Sequence, residues 1–196
     1  MIKIALIRHS KTKGNIEKRY IGSTDESLCK EGIDLIENKS FPLAKVVYCS
    51  PLARCVETSR LIYNEIEPII YKELRECNFG LFENKNYIEL EGDIHYQKWV
   101  NSNGTLGFPD GEITEDFQNR CLGAFDEIVN DIFQKNVESS AMVVHGGTIM
   151  AILDQYSSPH EDFFHWQVEN CGGFIIGINK KLWKKGDKKV TVMELI

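Results

Sequence analysis

The chain lacks the features that would mark a membrane-spanning, secreted or disulfide-stapled protein. No uncharged apolar run approaches the length that a membrane span needs. The apolar N-terminal stretch Ile2–Ile7 meets Arg8 and His9 at once and has no small-residue cleavage site, so it does not read as a signal peptide. The six cysteines form no Cys-x-x-Cys pair, which favours buried, reduced thiols over a zinc site. We therefore expect a cytoplasmic protein with no membrane partner and no metal.

An excess of positive charge is also missing. The 23 basic and 29 acidic residues give a net charge of −6, which argues against a nucleic-acid partner. A small anionic substrate stays compatible with this charge, because a local basic pocket can lie within an acidic protein. We find no repeat, low-complexity tract or linker, so the 196 residues are expected to form one domain over 1–196.

Short apolar runs alternate with amphipathic stretches along the chain. This pattern predicts an α/β fold of three layers, α/β/α, with a mostly parallel central sheet. The predicted strands are Ile2–Ile7, Lys45–Ser50, Ile69–Tyr71, Ala141–His145, Gly173–Ile178 and Lys189–Glu194. The predicted helices run from Leu28 to about Asn38, from Ser50 through Tyr63, from Thr114 to about Gln134, and over Thr148–Leu153.

Two of these segments carry more detailed expectations. Ser50 is predicted to cap the second helix, with Pro51 at its first position. The stretch 82–110 is the least regular part of the chain, since Gly92, Asn103-Gly104 and Pro109 interrupt it. We expect it to form a small cap or lid over one end of the sheet.

Two histidines follow predicted strands. His9 comes directly after the first strand, and His145 after the run Ala141–Val144. If both strands are parallel, both imidazoles lie at the edge where open α/β sheets bind ligands. Gly146 and Gly147 then lead into a helix, whose first N–H groups attract anions. With Arg8 and Arg54 nearby, the pattern indicates a phosphate pocket.

Each of these residues also has an ordinary structural interpretation. A lone histidine after a strand usually completes the hydrogen bonds of the core, and a glycine pair commonly turns the chain. Arg54 could be a solvated helix residue, and Glu76 is one acid among 29. From the residues alone, an anion-handling enzyme and a purely structural role are about equally supported.

A resemblance to a known family changes this balance. Five segments, in order along the chain, are similar to the motifs of the histidine phosphatase superfamily, in its phosphoglycerate-mutase-like branch. They are Leu6–Asn15, Gly22–Leu28, Ser50–Thr58, Leu74–Glu83 and Val144–Ile149, with weaker agreement at Phe108–Glu112, Arg120 and Asn170-Cys171. The chain most resembles the short α-ribazole-phosphate phosphatases and broad-specificity phosphatases of this branch.

The resemblance implies a metal-independent phosphatase, without a cofactor, that acts on a small phosphorylated metabolite. It assigns His9 as the nucleophile that becomes phosphohistidine, and Glu76 as the proton donor. The remaining residues that it implies are Arg8, Arg54 and His145 around the phosphate, and Asn15, Ser23 and Gly146 as substrate-binding residues. A phosphoglycerate-mutase-type transferase and a catalytically silent phosphate-binding module are the alternatives, and exposed aromatics near Phe163 would permit a homodimer.

The first motif departs from the family at three positions. Ser10 stands where the family usually has glycine, Lys11 where it has an acid, and Gly14 where it has an aromatic residue. If the backbone at position 10 required a positive φ, serine would strain the site. The aromatic residues Phe79, Trp99 and Phe108 could form a stacking wall for a nucleoside-like leaving group, although packing of the cap is an equally good explanation.

Overall fold

A six-stranded sheet runs through the centre of the molecule, and the computed structural model describes all residues, 1–196. The strands are β1 (Ile2–Arg8), β2 (Val46–Cys49), β3 (Ile69–Ile70), β4 (Ser139–Val144), β5 (Gly173–Ile178) and β6 (Val190–Leu195). Their spatial order is β3-β2-β4-β1-β5-β6. Only β5 runs against its neighbours β1 and β6, while β1, β2, β3 and β4 are parallel. The predicted mostly parallel sheet is confirmed.

Seven α-helices surround or cap this sheet. They are α1 (Lys13–Ile16), α2 (Lys30–Glu37), α3 (Ala53–Ile62), α4 (Ile94–Asn101), α5 (Thr114–Lys135), α6 (Gly146–Tyr156) and α7 (Lys180–Lys184). Short 3-10 turns occur at Lys72–Leu74, Gly80–Phe82 and Phe163–Trp166. None of the helices combines the length and the hydrophobicity needed to cross a membrane.

The alternation of side chains along the strands builds the three layers. Ile4 and Leu6 of β1 pack with α5 and α6 on one face, whereas Ala5 and Ile7 point to the opposite face. There they meet the α3 side, which includes Cys55. Because helices cover both faces of the central strands, the runs Ile4–Ile7 of β1 and Ala141–Val144 of β4 are continuously apolar. The three-layer α/β/α prediction is therefore confirmed.

The prediction for the start of α3 is wrong. The helix begins at Ala53, its N-cap residue is Leu52, and no side chain caps it. Pro51 lies before the helix and not at its first position. The Ser50 hydroxyl contacts His145 instead of the helix N–H groups. A serine before a proline is a common helix start, but here a buried imidazole is the partner of the hydroxyl.

The segment 82–110 contains one helix, α4, within otherwise irregular backbone. Asp93 caps this helix by accepting hydrogen bonds from the N–H groups of His95 and Tyr96. The rings of Phe82, Tyr96 and Trp99 pack together, with Tyr96 and Trp99 stacked at 6.1 Å between centroids. Of these three rings, only that of Trp99 lines the cavity at the parallel strand ends.

Candidate active site

His9 and His145 are brought together by the register of two strands. The strands β1 and β4 are parallel and pair Arg8 with Val144, so the residues that follow lie side by side at the carboxyl edge of the sheet. The His9 N–H donates to the Val144 carbonyl at 2.9 Å, and the two imidazole centroids are 5.2 Å apart. The predicted placement of both histidines at strand ends is confirmed.

The ring of His9 is oriented by its own loop. Nδ1 lies 2.7 Å from the carbonyl oxygen of Ser10, which can only accept a hydrogen bond, so Nδ1 carries the proton. Burial, together with the charges of Arg54 and Arg8, lowers the pKa of His9 well below its usual range. The imidazole is therefore neutral, and Nε2 carries a lone pair with no hydrogen-bond partner in the chain.

His145 is fully buried and immediately precedes α6. Its Nε2 lies 2.7 Å from the Ser50 Oγ, and its Nδ1 lies 3.9 Å from the Oε2 of Glu76. Burial, together with the charges of Arg54 and Arg8, lowers the pKa of His145 well below its usual range. The second imidazole is consequently neutral as well, and it lies between a hydroxyl and a carboxyl.

Two guanidinium groups flank the histidines. The Nη1 of Arg8 donates to the Val168 carbonyl at 2.7 Å, and Arg54 donates to the carbonyls of Thr24 and Gly22 at 2.8 and 2.9 Å. In each guanidinium the Nε is buried without a partner. A buried N–H of this kind carries an unmet demand for an acceptor, which an anion would satisfy.

Glu76 supplies the acidic group of the site. Its Oε1 accepts the N–H of Cys77 at 3.0 Å. Burial raises the pKa of the Glu76 carboxyl, although the Cys77 N–H and the charges of Arg54 and Arg8 act in the opposite direction. A carboxyl with a raised pKa beside two cations is suited to give up a proton and take it back.

The backbone that carries Glu76 is held by Arg120 of α5. Arg120 donates to the carbonyls of Glu73, Arg75 and Glu76 at 2.5, 2.6 and 3.0 Å. It also forms a two-point ion pair with Glu112, at 2.6 and 2.8 Å. We call this Arg120–Glu112 pair the clamp. The sequence offered only a motif position for Arg120, since carbonyl acceptors from a distant segment leave no sequence signal.

A cavity of about 300 Å³ opens over these residues. Its polar end is formed by Arg8, His9, Asn15, Glu76, Gly146 and Gly147. The rest is mainly aromatic, with Tyr20, Phe79, Trp99, Phe108, Phe117, Phe163 and Phe164. Arg54 and His145 are fully buried and do not line it. The cavity therefore joins an anion-binding end to an apolar chamber.

The three residues predicted to bind substrate have different positions. The Oδ1 of Asn15 accepts three hydrogen bonds within 3.3 Å, from the Thr12 N–H, the Thr12 hydroxyl and the Asn170 Nδ2. Asn15 lines the cavity, and its own Nδ2 is free to donate into it. Gly146 lines the cavity at the first turn of α6. Ser23 does not line it: Ser23 is exposed and borders a separate cavity of about 370 Å³, whose wall also includes Glu76.

Gly147 also contributes to the site, although the sequence analysis did not name it as a site residue. A Cβ at this position would lie 3.0 Å from both the Oε1 of Glu76 and the ring of Phe117. A side chain at this position would require the Glu76 carboxyl or the Phe117 ring to shift. The Gly-Gly pair signalled a close approach, but the sequence could not show that the second glycine makes it.

Ser10 fits without strain at the position where the family usually has glycine. Its φ is not positive, and its hydroxyl donates to the Gly32 carbonyl at 2.6 Å, outside the cavity lining. Its N–H donates to the Thr58 Oγ1 at 2.9 Å. Gly14 is also accounted for, because a Cβ there would lie 2.4 Å from the Cγ1 of Ile21. Ile21 and Glu26 occupy that space.

The remaining candidates for metal or redox chemistry are dispersed. No three His, Cys, Asp or Glu side chains are grouped so that they could share a metal ion. All six cysteines are free thiols, five of them buried and Cys29 partly exposed.

The chain is similar in sequence to known phosphatases and phosphoglycerate mutases. A family model for the histidine phosphatase superfamily (branch 1) matches residues 4–187. A broad-specificity phosphatase of Saccharomyces cerevisiae is 30% identical over 78% of this chain and 69% of its own length. An adenosylcobalamin/α-ribazole phosphatase of Escherichia coli is 28% identical over 92% of each chain. A 2,3-bisphosphoglycerate-dependent phosphoglycerate mutase of Rhizobium etli is 29% identical over 78% of each.

The fold also matches a solved structure over nearly its whole length. The crystal structure of an α-ribazole phosphatase from Shigella flexneri superposes with a TM-score of 0.78 and covers 99% of this chain and 96% of its own. The sequence identity is 23%, so this match concerns the fold.

Proposed function

The chain belongs to the histidine phosphatase superfamily and is a phosphatase of that type, and we propose that it hydrolyses phosphomonoesters through phosphohistidine on His9, without a metal or cofactor. The observation that carries this proposal is the state of His9. Its Nδ1 is tied to the Ser10 carbonyl, and its pKa is lowered by burial and two arginines. The free Nε2 lone pair is thus available for attack at pH 7.

The first step transfers the phosphoryl group to the enzyme. The Nε2 of His9 forms a bond to phosphorus as the bond to the leaving oxygen breaks, and Glu76 gives its proton to that oxygen. Arg8 and Arg54 would stabilise the charge on the equatorial oxygens with fixed N–H donors. The Nδ2 of Asn15 and the first N–H groups of α6 add further donors.

The second step returns the enzyme to its starting state. The Glu76 carboxylate takes a proton from a water molecule, whose oxygen attacks phosphorus as the bond to Nε2 breaks. Inorganic phosphate leaves, with Glu76 protonated and His9 neutral again. One side chain serves as acid and then as base, which suits a carboxyl whose pKa burial has raised.

The chamber beyond the phosphate end favours an uncharged, planar leaving group. Apart from Arg8 and His9, the only basic residue lining the cavity is Arg19, and ion pairs at 2.6 and 2.7 Å tie it to Glu17 and Glu89. Aromatic rings make up much of the remaining wall. We propose a small aryl or nucleoside-like phosphate as substrate, with α-ribazole phosphate as the named candidate because of the Escherichia coli relative.

The main alternative is a mutase-type phosphoryl transfer, which the Rhizobium etli relative keeps open. Phosphoglycerate carries a carboxylate besides its phosphate, and the chamber offers that carboxylate only the paired Arg19. A silent phosphate-binding module is less well supported, since His9, Arg8, Arg54, Glu76 and His145 are all present and grouped.

The first test is hydrolysis of phenyl phosphate with excess EDTA present. We expect the wild type to release phosphate and His9→Ala to release none above background. His95→Ala is the matched control, because His95 is an exposed histidine of α4 outside the cavity lining. Loss of wild-type activity on chelation, or equal activity in wild type and His9→Ala, would overturn the proposal.

Three further expectations rest on the sequence and stay predictions. We propose that 82–110 acts as the cap of a single domain, because Trp99, Gly104 and Phe108 from it line the cavity. A cytoplasmic location and a homodimer are likewise proposed.

A further inference from the structure

Ser50 contacts one of the two ring nitrogens of His145. The Ser50 Oγ lies 2.7 Å from Nε2, while the other nitrogen, Nδ1, lies 3.9 Å from the Oε2 of Glu76. Ser50 and His145 are both fully buried, and Glu76 lines the cavity. The neighbouring side chains, and not bulk water, therefore decide which nitrogen of His145 carries a proton.

The direction of this hydrogen bond follows from what surrounds Ser50. The Leu52 N–H approaches the Ser50 Oγ at 3.5 Å as a donor, and the only other hydrogen-bond partner of this oxygen is Nε2 of His145 at 2.7 Å. We infer that the hydroxyl donates its own proton to Nε2. Burial and the charges of Arg54 and Arg8 lower the pKa of His145, so its ring is neutral and has a single N–H. If the hydroxyl donates to Nε2, that N–H is on Nδ1.

We propose that Ser50 is a positioning residue that holds the proton of His145 on Nδ1, so that this N–H is directed to the phosphate site beside Glu76. With the opposite tautomer, a lone pair on Nδ1 would face the Oε2 of Glu76, 3.9 Å away, and would repel the carboxylate that Glu76 becomes when it gives up its proton. The effect of Ser50 on rate rests on the proposed phosphatase function, whereas the tautomer is a property of the resting protein.

Cys55 is the competing neighbour of the same nitrogen. Its Sγ lies 3.5 Å from Nε2 and 3.8 Å from Nδ1 of His145, but the thiol also lies 3.6 Å from the Val144 carbonyl, to which it donates. A thiol is a weaker donor than a hydroxyl. Cys55→Ala is therefore a matched control, since it removes a side chain of similar size from the same contact.

The test is ¹⁵N NMR of the histidine-labelled resting protein at pH 7, without substrate. We expect the wild type and Cys55→Ala to show His145 protonated on Nδ1, and Ser50→Ala to show a shift toward the Nε2-protonated form. A wild-type proton on Nε2, an unchanged tautomer in Ser50→Ala, or a tautomer shift in Cys55→Ala alone would overturn the proposal.

A rate measurement on the same variants completes the test. We expect kcat/KM for phenyl phosphate to fall about 10- to 100-fold in Ser50→Ala and by less than about twofold in Cys55→Ala. A rate loss in Ser50→Ala without a change of tautomer would assign Ser50 a packing role and refute the inference. The proposed phosphatase function fails separately, if His9→Ala retains activity while the tautomer results hold.

Discussion

At the scale of single residues, the site works by fixing where protons and charges lie before a substrate arrives. The Ser10 carbonyl orients His9, and burial keeps both imidazoles neutral next to two permanent cations. The Nε–H groups of Arg8 and Arg54 are buried donors without an acceptor, and a bound phosphate would supply acceptor oxygens for them. Little has to rearrange as charge develops in the transition state, which is the condition under which fixed donors contribute most.

Replacing Arg8 with lysine should separate charge from geometry. Arg8→Lys keeps a positive charge but loses the planar fork of N–H donors, so we expect kcat/KM for phenyl phosphate to fall about 10²- to 10³-fold. Steady-state kinetics check this, with Arg60→Lys as control. Arg60 is exposed and pairs with Glu67 at 2.8 Å, and its replacement should change kcat/KM by about twofold at most. A comparable loss in both variants would refute the assignment.

The pH profile should reveal Glu76 as the acid of the first step. His9 must be neutral, so activity is lost as pH falls through its pKa, which lies well below the usual range. Glu76 must be protonated, so activity is lost as pH rises through its pKa, which burial has raised. We expect a bell-shaped kcat/KM profile for phenyl phosphate. In Glu76→Gln the alkaline limb should disappear while the acid limb remains; an alkaline limb that persists would assign it to another group.

At the scale of elements, strand register and one helix assemble the site. The pairing of β1 with β4 places the two histidines side by side, and the clamp from α5 fixes the backbone of Glu76. One face of α5 packs in the interior, as the helical spacing of its apolar residues predicts. This face consists of Phe117, Cys121, Phe125, Ile128 and Ile132. The same helix thus anchors the core and orients the acid.

Loosening the clamp should damage catalysis from a distance. Arg120→Lys cannot reach Glu112 and three carbonyls at once, and both partners of the pair are largely buried. We expect the free energy of unfolding to fall by about 2 kcal/mol from the lost hydrogen bonds, and kcat to fall more strongly than KM rises. Urea denaturation and amide hydrogen exchange of residues 73–78 measure this. Arg75→Lys, an exposed change in the same segment, should alter neither the free energy of unfolding nor the hydrogen exchange of residues 73–78. Equal exchange rates in Arg120→Lys and Arg75→Lys would contradict the proposed role of Arg120.

The elements also show how far sequence reasoning reached. Periodicity and turn residues located all six strands and the helices α2, α3, α5 and α6, because all of these elements except β3 bury apolar residues, and β3 is itself a pair of isoleucines. The short helices α1, α4 and α7 carry too little periodicity for detection. The prediction that Ser50 caps α3 was wrong because its hydroxyl instead forms a hydrogen bond with His145, 95 positions away. Ser23 fell outside the main cavity because loop positions depend on packing that no local pattern encodes.

At the scale of the whole molecule, charge is concentrated where the substrate phosphate would bind. The chain carries a net charge of −6, yet the buried Arg54 and the partly buried Arg8 flank the two histidines. An acidic exterior with a cationic interior site favours small anions over extended polyanions. The aromatic part of the cavity would then favour those small phosphomonoesters whose leaving group is planar and uncharged.

A panel of phosphates should reveal this selection. We expect kcat/KM for phenyl phosphate to exceed that for 3-phosphoglycerate by about 100-fold, since the carboxylate would displace Glu17 or Glu89 from Arg19 or stay unpaired. Trp99→Ala should lower kcat/KM for phenyl phosphate more than for a short alkyl phosphate. A preference for 3-phosphoglycerate would favour the mutase-type alternative.

The most direct measurement is the mapping of the covalent intermediate. The enzyme is mixed with phenyl phosphate, quenched in alkali within milliseconds, digested and sequenced by mass spectrometry. We expect an alkali-stable, acid-labile phosphate on the peptide that contains His9, attached to that imidazole and absent from His9→Ala. Phosphate on another side chain, or phosphate release by His9→Ala at the wild-type rate, would contradict it.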